Sequence, residues 1–212
     1  MYQRNGMYQE EDGFKYAIWD LDGTLLDSLS VWLTLARRYL EQLGITDIPQ
    51  ELEAIVDPMS LEESADYLRN RFRLPFDRTE IISQFMSLVR RLYEEEIPFF
   101  EEARNRVLSL YDRGCRMCVL TTTDTYCAAA ALKRGGIWHC FEQVYTCSDL
   151  KLNKRGPEIY METCKRMGFE PEETVIYEDA DYALESAGKS GCQVINAEIF
   201  YKAGSNSKKN RN

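Results

Sequence analysis

Two patterns of apolar residues divide the first part of the chain. Residues 15–20 contain a continuous apolar run, Tyr16 to Trp19, which is typical of a buried strand. From Leu29 to Leu43 the apolar residues instead recur every three or four positions, which predicts an amphipathic helix that ends at Gly44. The chain thus passes from one strand directly into helical sequence.

Helical patterns continue for about fifty more residues. Ser60 with Glu63, and Asp77 with Glu80, have the spacing of capping boxes, and each pair precedes a stretch with one apolar face. Strand patterns are missing from this part of the sequence. We therefore predict that residues 28–96 are all helical.

The second half alternates between helices and short strands. Helices are predicted at residues 101–114, 124–136, 157–168 and 180–191, and strands at 115–120, 143–147, 174–177 and 192–196. Such alternation is typical of right-handed βαβ units with a parallel sheet. The predicted fold is α/β, a doubly wound parallel-sheet (Rossmann-like) core with an inserted all-helical domain.

The domain boundaries follow from these patterns. The core is predicted to comprise residues 14–27 and 97–200, and the helical domain residues 28–96. Residues 1–13 and 202–212 are polar and are predicted to be flexible termini.

Composition narrows the range of partners. The 212 residues carry a formal net charge of −9, which disfavours nucleic acid as a partner, since the obvious basic run is "KKNR" near the C-terminus. No apolar run approaches the length of a membrane span, and the N-terminal residues lack the apolar core of a secretory signal. A cytoplasmic protein without a membrane partner is expected, and a protein partner stays unknown.

The cysteines leave two interpretations. Their number is seven, and Cys115 and Cys118 form a C-x-x-C while His139 lies beside Cys140, so a zinc site is conceivable. However, the C-x-x-C lies in a predicted strand and no second one pairs with it. Reduced and mostly buried thiols are the favoured interpretation.

Oxygen-rich side chains follow three of the predicted strands. Asp20 and Asp22 follow the first, threonines 121–123 end another, and Glu178 and Asp179 follow a third. Ligands of open parallel sheets bind at the carboxyl ends of the strands. Several carboxylates at one edge need a cation between them, and an oxygen-only set suits Mg²⁺.

The motifs around these residues resemble a known family. "DLDGTLLDS", the threonine in "VLTTTD", the lysine in "KRGPEIY" and the acidic pair in "VIYEDA" look like the four motifs of the haloacid dehalogenase superfamily. The helical block between the first two motifs resembles its inserted cap. The nearest branch contains β-phosphoglucomutase and phosphoglycolate phosphatase.

The resemblance implies roles for the acidic residues. Asp20 would be the nucleophile that forms an aspartyl-phosphate, and Asp22 the acid and base that protonates the leaving oxygen and later activates water. Mg²⁺ would be bound by Asp20, by the backbone carbonyl of Asp22 and by the side chain of Asp179. Glu178 would act behind these ligands or through a water molecule.

The resemblance also implies the phosphate contacts. The Thr121 hydroxyl and the Thr122 amide would bind phosphoryl oxygens, and Lys154 would balance the charge of nucleophile and phosphate. Lys151 is a rival for that role, but Lys154 matches the spacing to the following proline. Around the nucleophile, Gly23 would permit a sharp turn, and Thr24 would tie that turn together.

The implied function is that of a Mg²⁺-dependent phosphohydrolase, a phosphatase for a small phosphorylated metabolite such as a sugar phosphate. A sugar-phosphate mutase of the β-phosphoglucomutase type is one alternative, and a non-catalytic phosphate- or partner-binding protein is another. Trp32 and Tyr39 share one apolar stripe and are predicted to be cap core. One of several cap arginines could reach an anionic or hydroxylated substrate, although most are expected on solvated faces: Arg69, Arg71, Arg73, Arg90 and Arg91.

Overall fold

A computed structural model describes residues 13–201 of the chain. The described strands are β1 (Tyr16–Trp19), β2 (Arg116–Thr121), β3 (Gln143–Thr146), β4 (Thr174–Glu178) and β5 (Gln193–Asn196). They form one parallel sheet in the order β3-β2-β1-β4-β5. The first strand of the chain is therefore its centre, and the predicted fold class is confirmed.

The described helices follow the predicted order. They are α1 (Leu29–Gln42), α2 (Leu52–Val56), α3 (Leu61–Phe72), α4 (Arg78–Glu95), α5 (Glu101–Asp112), α6 (Thr125–Arg134), α7 (Cys147–Leu150), α8 (Glu158–Met167) and α9 (Asp181–Ala187). Helices α1 to α4 lie between β1 and α5 in the chain and are called the helical segment below. Its use as a cap, and the predicted domain boundaries, stay predictions.

Both faces of the sheet are buried, since the strand side chains alternate between two apolar clusters. Ala17 and Trp19 belong to one cluster, together with residues of α5, α6 and the helical segment. Ile18, between them, belongs to the second, together with residues of α8. This is why β1 is an unbroken apolar run rather than an alternating one.

The predicted helix starts in the helical segment are confirmed. The Ser60 hydroxyl accepts the Glu63 amide at 3.2 Å, and the Glu63 carboxylate accepts the Ser60 amide at 2.8 Å. Asp77 and Glu80 form the same reciprocal pair at the start of α4. Each box satisfies two amides that have no partner within the helix.

Some local predictions were wrong. Helix α7 was missed, and α2 was not predicted as a separate helix although it lies in the block predicted to be helical. They span four and five residues, too few for a helical period to show. The predicted strand 143–147 ends at Thr146, because Thr146 caps α7 and Cys147 is already helical.

The cysteine prediction is confirmed. All seven are free, and five are buried. Cys164 Sγ and Cys192 Sγ lie 3.7 Å apart, beyond the bond length of about 2 Å in a disulfide. Cys118, in β2, is fully buried in the second cluster.

Two further sequence predictions concern the ends of the chain and membrane-spanning helices. The flexible termini at 1–13 and 202–212 lie outside the described residues, apart from Gly13. Within residues 13–201, no helix combines the length and the apolar character that crossing a membrane requires.

Candidate active site

The turn after β1 places two aspartates at the carboxyl edge of the sheet. The Asp20 amide donates to the Tyr177 carbonyl at 3.0 Å, which continues the pairing with β4. Gly23 follows with φ +84°, a backbone conformation that favours glycine. A Cβ at this position would lie 2.1 Å from Asp179 Oδ2, so a side chain at residue 23 would force the Asp179 carboxylate to move.

A buried lysine joins the acidic residues of two strand ends. Lys154 is 4% exposed, and its Nζ donates to Asp20 Oδ1 and, at 2.7 Å, to Glu178 Oε2. The Ser186 hydroxyl donates to the Lys154 carbonyl and Tyr160 to Glu178 at 3.4 Å, so the cluster is braced from α8 and α9. The structure therefore brings Lys154 together with Asp20 and Glu178.

Lys151, the rival candidate, lies outside this cluster. Lys151 is exposed, and it ends α7 in a left-handed conformation with φ +53°. No hydrogen bond from its side chain to the acidic residues is described.

Three carboxylates meet around Lys154 with an excess of negative charge. Oxygens of Asp20, Glu178 and Asp179 all lie within 4.8 Å of one another. Burial, followed by the Glu178 carboxylate, raises the pKa of Asp20 well above its usual range, although Lys154 opposes this. The same two causes, in the same order, raise the pKa of Asp179 to about 6.

This donor set fits a divalent cation. Three carboxylates and one ammonium leave two negative charges, and all donors are oxygens, as Mg²⁺ requires. The prediction gave Asp20 and Asp179 as the side-chain ligands and placed Glu178 behind them or at the end of a water bridge. In the structure all three carboxylates are grouped together. Asp22 was predicted to contribute only its backbone carbonyl and lies outside the grouping of carboxylates.

The carboxylate of Asp22 is held by two hydroxyl groups: Tyr93, which the sequence reasoning missed, and Thr123, whose contact with Asp22 it did not predict. Tyr93 donates to Asp22 Oδ1 at 2.5 Å, and Thr123 donates to Asp22 Oδ2. Burial, followed by the Asp22 carboxylate, raises the pKa of Tyr93, so the phenol stays a donor. Tyr93 is fully buried on α4 and therefore connects the helical segment to this aspartate.

The remaining predicted residues lie around the same edge. Thr121 is fully buried, and its Oγ1 accepts the Thr123 amide at 3.0 Å, which leaves its own hydrogen available to a ligand. Thr122 is exposed at the cavity above Asp22. Thr24 reaches across to Asp179 Oδ1 at 3.5 Å, so it ties the turn to β4 rather than to itself.

A cavity of about 430 Å³ opens over Asp22. It is lined from the core by Asp22, Thr122, Thr123 and Asp124, and from the helical segment by Trp32, Met86 and Val89. The prediction that Trp32 is core was therefore wrong: it is 42% exposed, whereas Tyr39 on the same helix is 2% exposed. Leu29 and Leu33, near the same end of α1, are also exposed, whereas Val31 between them is buried.

Comparison with known proteins identifies the family. The family model of haloacid dehalogenase-like hydrolases matches residues 17–197. The chain belongs to this family of hydrolases.

Two curated relatives of this hydrolase are phosphatases. One is the fructose-1-phosphate phosphatase YqaB of Escherichia coli K12, 23% identical over 92% of this chain and 100% of the relative. Another is a phosphoglycolate phosphatase of Haemophilus influenzae 86-028NP, 23% identical over 89% of this chain and 87% of the relative. The predictions of the family and of a phosphatase-type hydrolase are confirmed.

The fold of the hydrolase is also found among solved structures. A HAD-superfamily hydrolase of subfamily IA from Geobacter sulfurreducens PCA superposes with a TM-score of 0.67 at 22% identity, covering 87% of each chain.

Proposed function

We propose that this hydrolase is a Mg²⁺-dependent phosphatase that cleaves a small phosphorylated metabolite through an aspartyl-phosphate on Asp20. The observation that supports this most directly is the cluster of Lys154, Asp20, Glu178 and Asp179, with Asp22 beside it. The relatives act on phosphorylated sugars or phosphoglycolate, as their names state.

The first step would use Asp20 as nucleophile. A carboxylate oxygen of Asp20 attacks phosphorus, and the bond from phosphorus to the ester oxygen breaks. Asp22 gives its proton to that leaving oxygen, so that the product departs as a neutral alcohol. In the second step Asp22 takes a proton from water, which attacks phosphorus and releases inorganic phosphate and free Asp20.

Asp22 can serve in both protonation states because its partners are hydroxyl groups. Tyr93 and Thr123 donate to it in the structure. A hydroxyl group can donate or accept, so Thr123 can rotate to accept a hydrogen bond from the acid form. The two contacts thus hold the side chain in place while its charge changes.

Charge balance would come from the residues around the nucleophile. Lys154 already neutralises part of the charge of Asp20 and Glu178, and Thr121 and the Thr122 amide lie at the same strand end to bind phosphoryl oxygens. Mg²⁺, held by Asp20, Asp179 and the Asp22 carbonyl, would supply the charge that lets a carboxylate approach a phosphate. Glu178, bound to Lys154, would support this set from behind.

The helical segment would act as the cap over this site. Its residues Trp32, Met86 and Val89 already form one wall of the cavity, and Tyr93 reaches Asp22. A cap between residues 28 and 96 would exclude water from the first step and select the leaving group.

Hydrolysis of p-nitrophenyl phosphate tests the proposal. The purified chain should turn over this ester with Mg²⁺, lose the activity with EDTA and regain it with excess Mg²⁺. Asp20→Asn should lower kcat by at least about a thousandfold, since it removes the nucleophile. Asp47→Asn, which changes an exposed aspartate of the helical segment, should leave kcat unchanged.

Three results would contradict parts of the proposal. An Asp20→Asn variant that keeps its activity would refute the mechanism. Absence of turnover at every metal and pH tried would favour a phosphate- or partner-binding protein. Isomerised rather than dephosphorylated sugar phosphate, in the presence of a bisphosphate activator, would favour a mutase.

A further inference from the structure

The helix that carries Tyr93 ends two residues later, and its last turn leaves the Tyr93 carbonyl without its usual partner. In a regular helix this carbonyl would accept the amide of Ile97, four residues further along the chain. The Ile97 amide donates instead to the Leu92 carbonyl at 3.0 Å, and the Glu96 amide donates to the same carbonyl at 2.9 Å. The Tyr93 carbonyl is therefore open to a donor from outside the helix.

Arg134, the last residue of α6, supplies that donor from the α/β part of the fold. Its Nε donates to the Tyr93 carbonyl at 3.3 Å, and its Nη2 donates to the Ile97 carbonyl. Its guanidinium also lies 5.6 Å from the centroid of the Phe99 ring. A cation is favoured here because the C-terminal end of a helix carries partial negative charge. Arg134 thus caps α4 from a different helix.

The same end of α4 meets α6 at a second point. The Tyr126 hydroxyl donates to the Glu94 carboxylate, and the Arg90 guanidinium lies 5.5 Å from the centroid of the Tyr126 ring. These contacts join side chains at the surface, where Tyr126 is 55% exposed. Arg134, in contrast, binds the backbone of Tyr93 itself.

Tyr93 connects this cap to the reacting groups. Its hydroxyl donates to Asp22 Oδ1 at 2.5 Å, and its side chain is fully buried. A close-packed ring has little freedom to compensate for a shift of its own backbone, so such a shift displaces the hydroxyl. On the proposed function Asp22 must point at the leaving oxygen, and a misplacement of about 1 Å in such a group slows a reaction strongly.

We propose that Arg134 is a positioning residue: it holds the backbone of Tyr93, and through the Tyr93 hydroxyl it keeps Asp22 directed at the leaving oxygen. This inference rests on the proposed function and deepens it. Arg134 acts on Asp22 only through Tyr93. Its contribution should therefore appear in the protonation of the leaving group and should depend on the tyrosine hydroxyl.

Two aryl phosphates that differ in their leaving group test this role. The p-nitrophenolate ion is stable and needs little protonation, whereas the phenolate of phenyl phosphate is a stronger base and depends on an acid. With the full chain and Mg²⁺, Arg134→Ala should lower kcat/KM by about tenfold for phenyl phosphate and by about threefold or less for p-nitrophenyl phosphate. The comparison uses kcat/KM because this quantity covers the steps up to cleavage of the ester bond.

A double-mutant cycle with Tyr93→Phe tests whether the effect passes through the tyrosine hydroxyl. Once that hydroxyl is removed, Arg134→Ala should lower kcat/KM for phenyl phosphate by less than about a further twofold. Arg134→Lys, which keeps a cation at the end of α4, should recover part of the loss. Arg37→Ala is a control, because Arg37 also donates to a backbone carbonyl of the helical segment, that of Pro49 at 2.7 Å, and its loss should change neither kcat/KM.

The outcomes separate this role from the proposed function. If the unsubstituted chain hydrolyses neither ester with Mg²⁺, the proposed function fails, and the role of Arg134 fails with it. If it hydrolyses both, but Arg134→Ala slows the two esters equally or slows the Tyr93→Phe protein as much as the unsubstituted chain, only the role of Arg134 is refuted. Arg134→Gln, which keeps an amide donor without the charge, replaces Arg134→Ala in each comparison if the alanine variant does not fold.

Discussion

Asp22 receives hydrogen bonds from two different parts of the structure. Tyr93 arrives from α4 of the helical segment and Thr123 from the loop after β2. The two hydroxyls also lie 3.4 Å from each other. Each donor fixes one carboxylate oxygen, so the direction of the Asp22 side chain depends on both parts of the structure.

Removing one donor should slow catalysis more than it destabilises the fold. We expect Tyr93→Phe to lower kcat by about ten- to a hundredfold through misorientation of Asp22, with KM changed far less. The free energy of unfolding should fall by about 1 kcal/mol, because the ring still fills its space. Steady-state kinetics and thermal unfolding measure the two effects.

Tyr39→Phe is a matched control for this substitution. Tyr39 is also buried in the helical segment, and its hydroxyl donates at 2.7 Å to Gln84, away from the acidic cluster. Its removal should cost similar stability without lowering kcat. Equal kinetic losses in both variants would show that Tyr93 acts only through packing.

The sequence indicated the acidic residues and Lys154, but not Tyr93, which holds Asp22. Asp20, Asp22, Glu178 and Asp179 are unusual at strand ends, and this made them visible. Tyr93 lies on the apolar face of α4, where a tyrosine is expected as core, and its partner is 71 positions away. Only the packing of α4 against α6 in three dimensions reveals the contact.

The turn after β1 is the element on which the acidic cluster depends. Gly23 combines a positive φ with an approach to Asp179 that a Cβ would block. We expect Gly23→Ala to cost about 1–2 kcal/mol in backbone strain and to displace the Asp179 carboxylate as well. The Mg²⁺ concentration needed for half-maximal activity should rise by about tenfold or more, if one ligand is lost.

Gly44 offers a control for the strain alone. It has φ +78° at the end of α1, and a Cβ there would meet nothing within 4 Å. Gly44→Ala should cost comparable stability without changing the Mg²⁺ requirement. A shift of that requirement in both variants would attribute it to general destabilisation.

The long helices could be predicted from the sequence because the capping residues at their starts can be recognised there. The capping boxes that begin at Ser60 and Asp77 are visible as residue spacings, and helices α3 and α4 start directly after these two residues. Helix α2 has no side-chain cap and only five residues, so nothing in its sequence separates it from a loop. Trp32 was wrongly predicted to be core, because helical periodicity identifies an apolar face but not which residues of that face are covered by other elements.

The whole molecule carries a formal charge of −9, and three of its carboxylates lie in one cluster with a single lysine. A cation that binds only the folded chain must therefore stabilise it. At one hundred times its dissociation constant, Mg²⁺ should add about 2.7 kcal/mol to the free energy of unfolding. For a chain of this size, that raises Tm by about 5–10 °C in thermal unfolding followed by circular dichroism.

The same measurement on two variants locates the bound ion. Asp179→Asn should abolish most of the Mg²⁺-dependent rise in Tm. Glu173→Gln, which removes an exposed carboxylate paired with Lys15 at 2.6 Å, should retain it. A rise that persists in Asp179→Asn would place the ion elsewhere.

The central position of β1 has a consequence for the order in which the protein can assemble. Tyr16 pairs with Arg116 on one side and with Thr174 on the other. A chain leaving the ribosome therefore carries its first strand without neighbours until most of the polypeptide has been made. Asp20, Lys154, Glu178 and Asp179 can therefore come together only late in synthesis, so a nascent chain lacks the assembled acidic cluster.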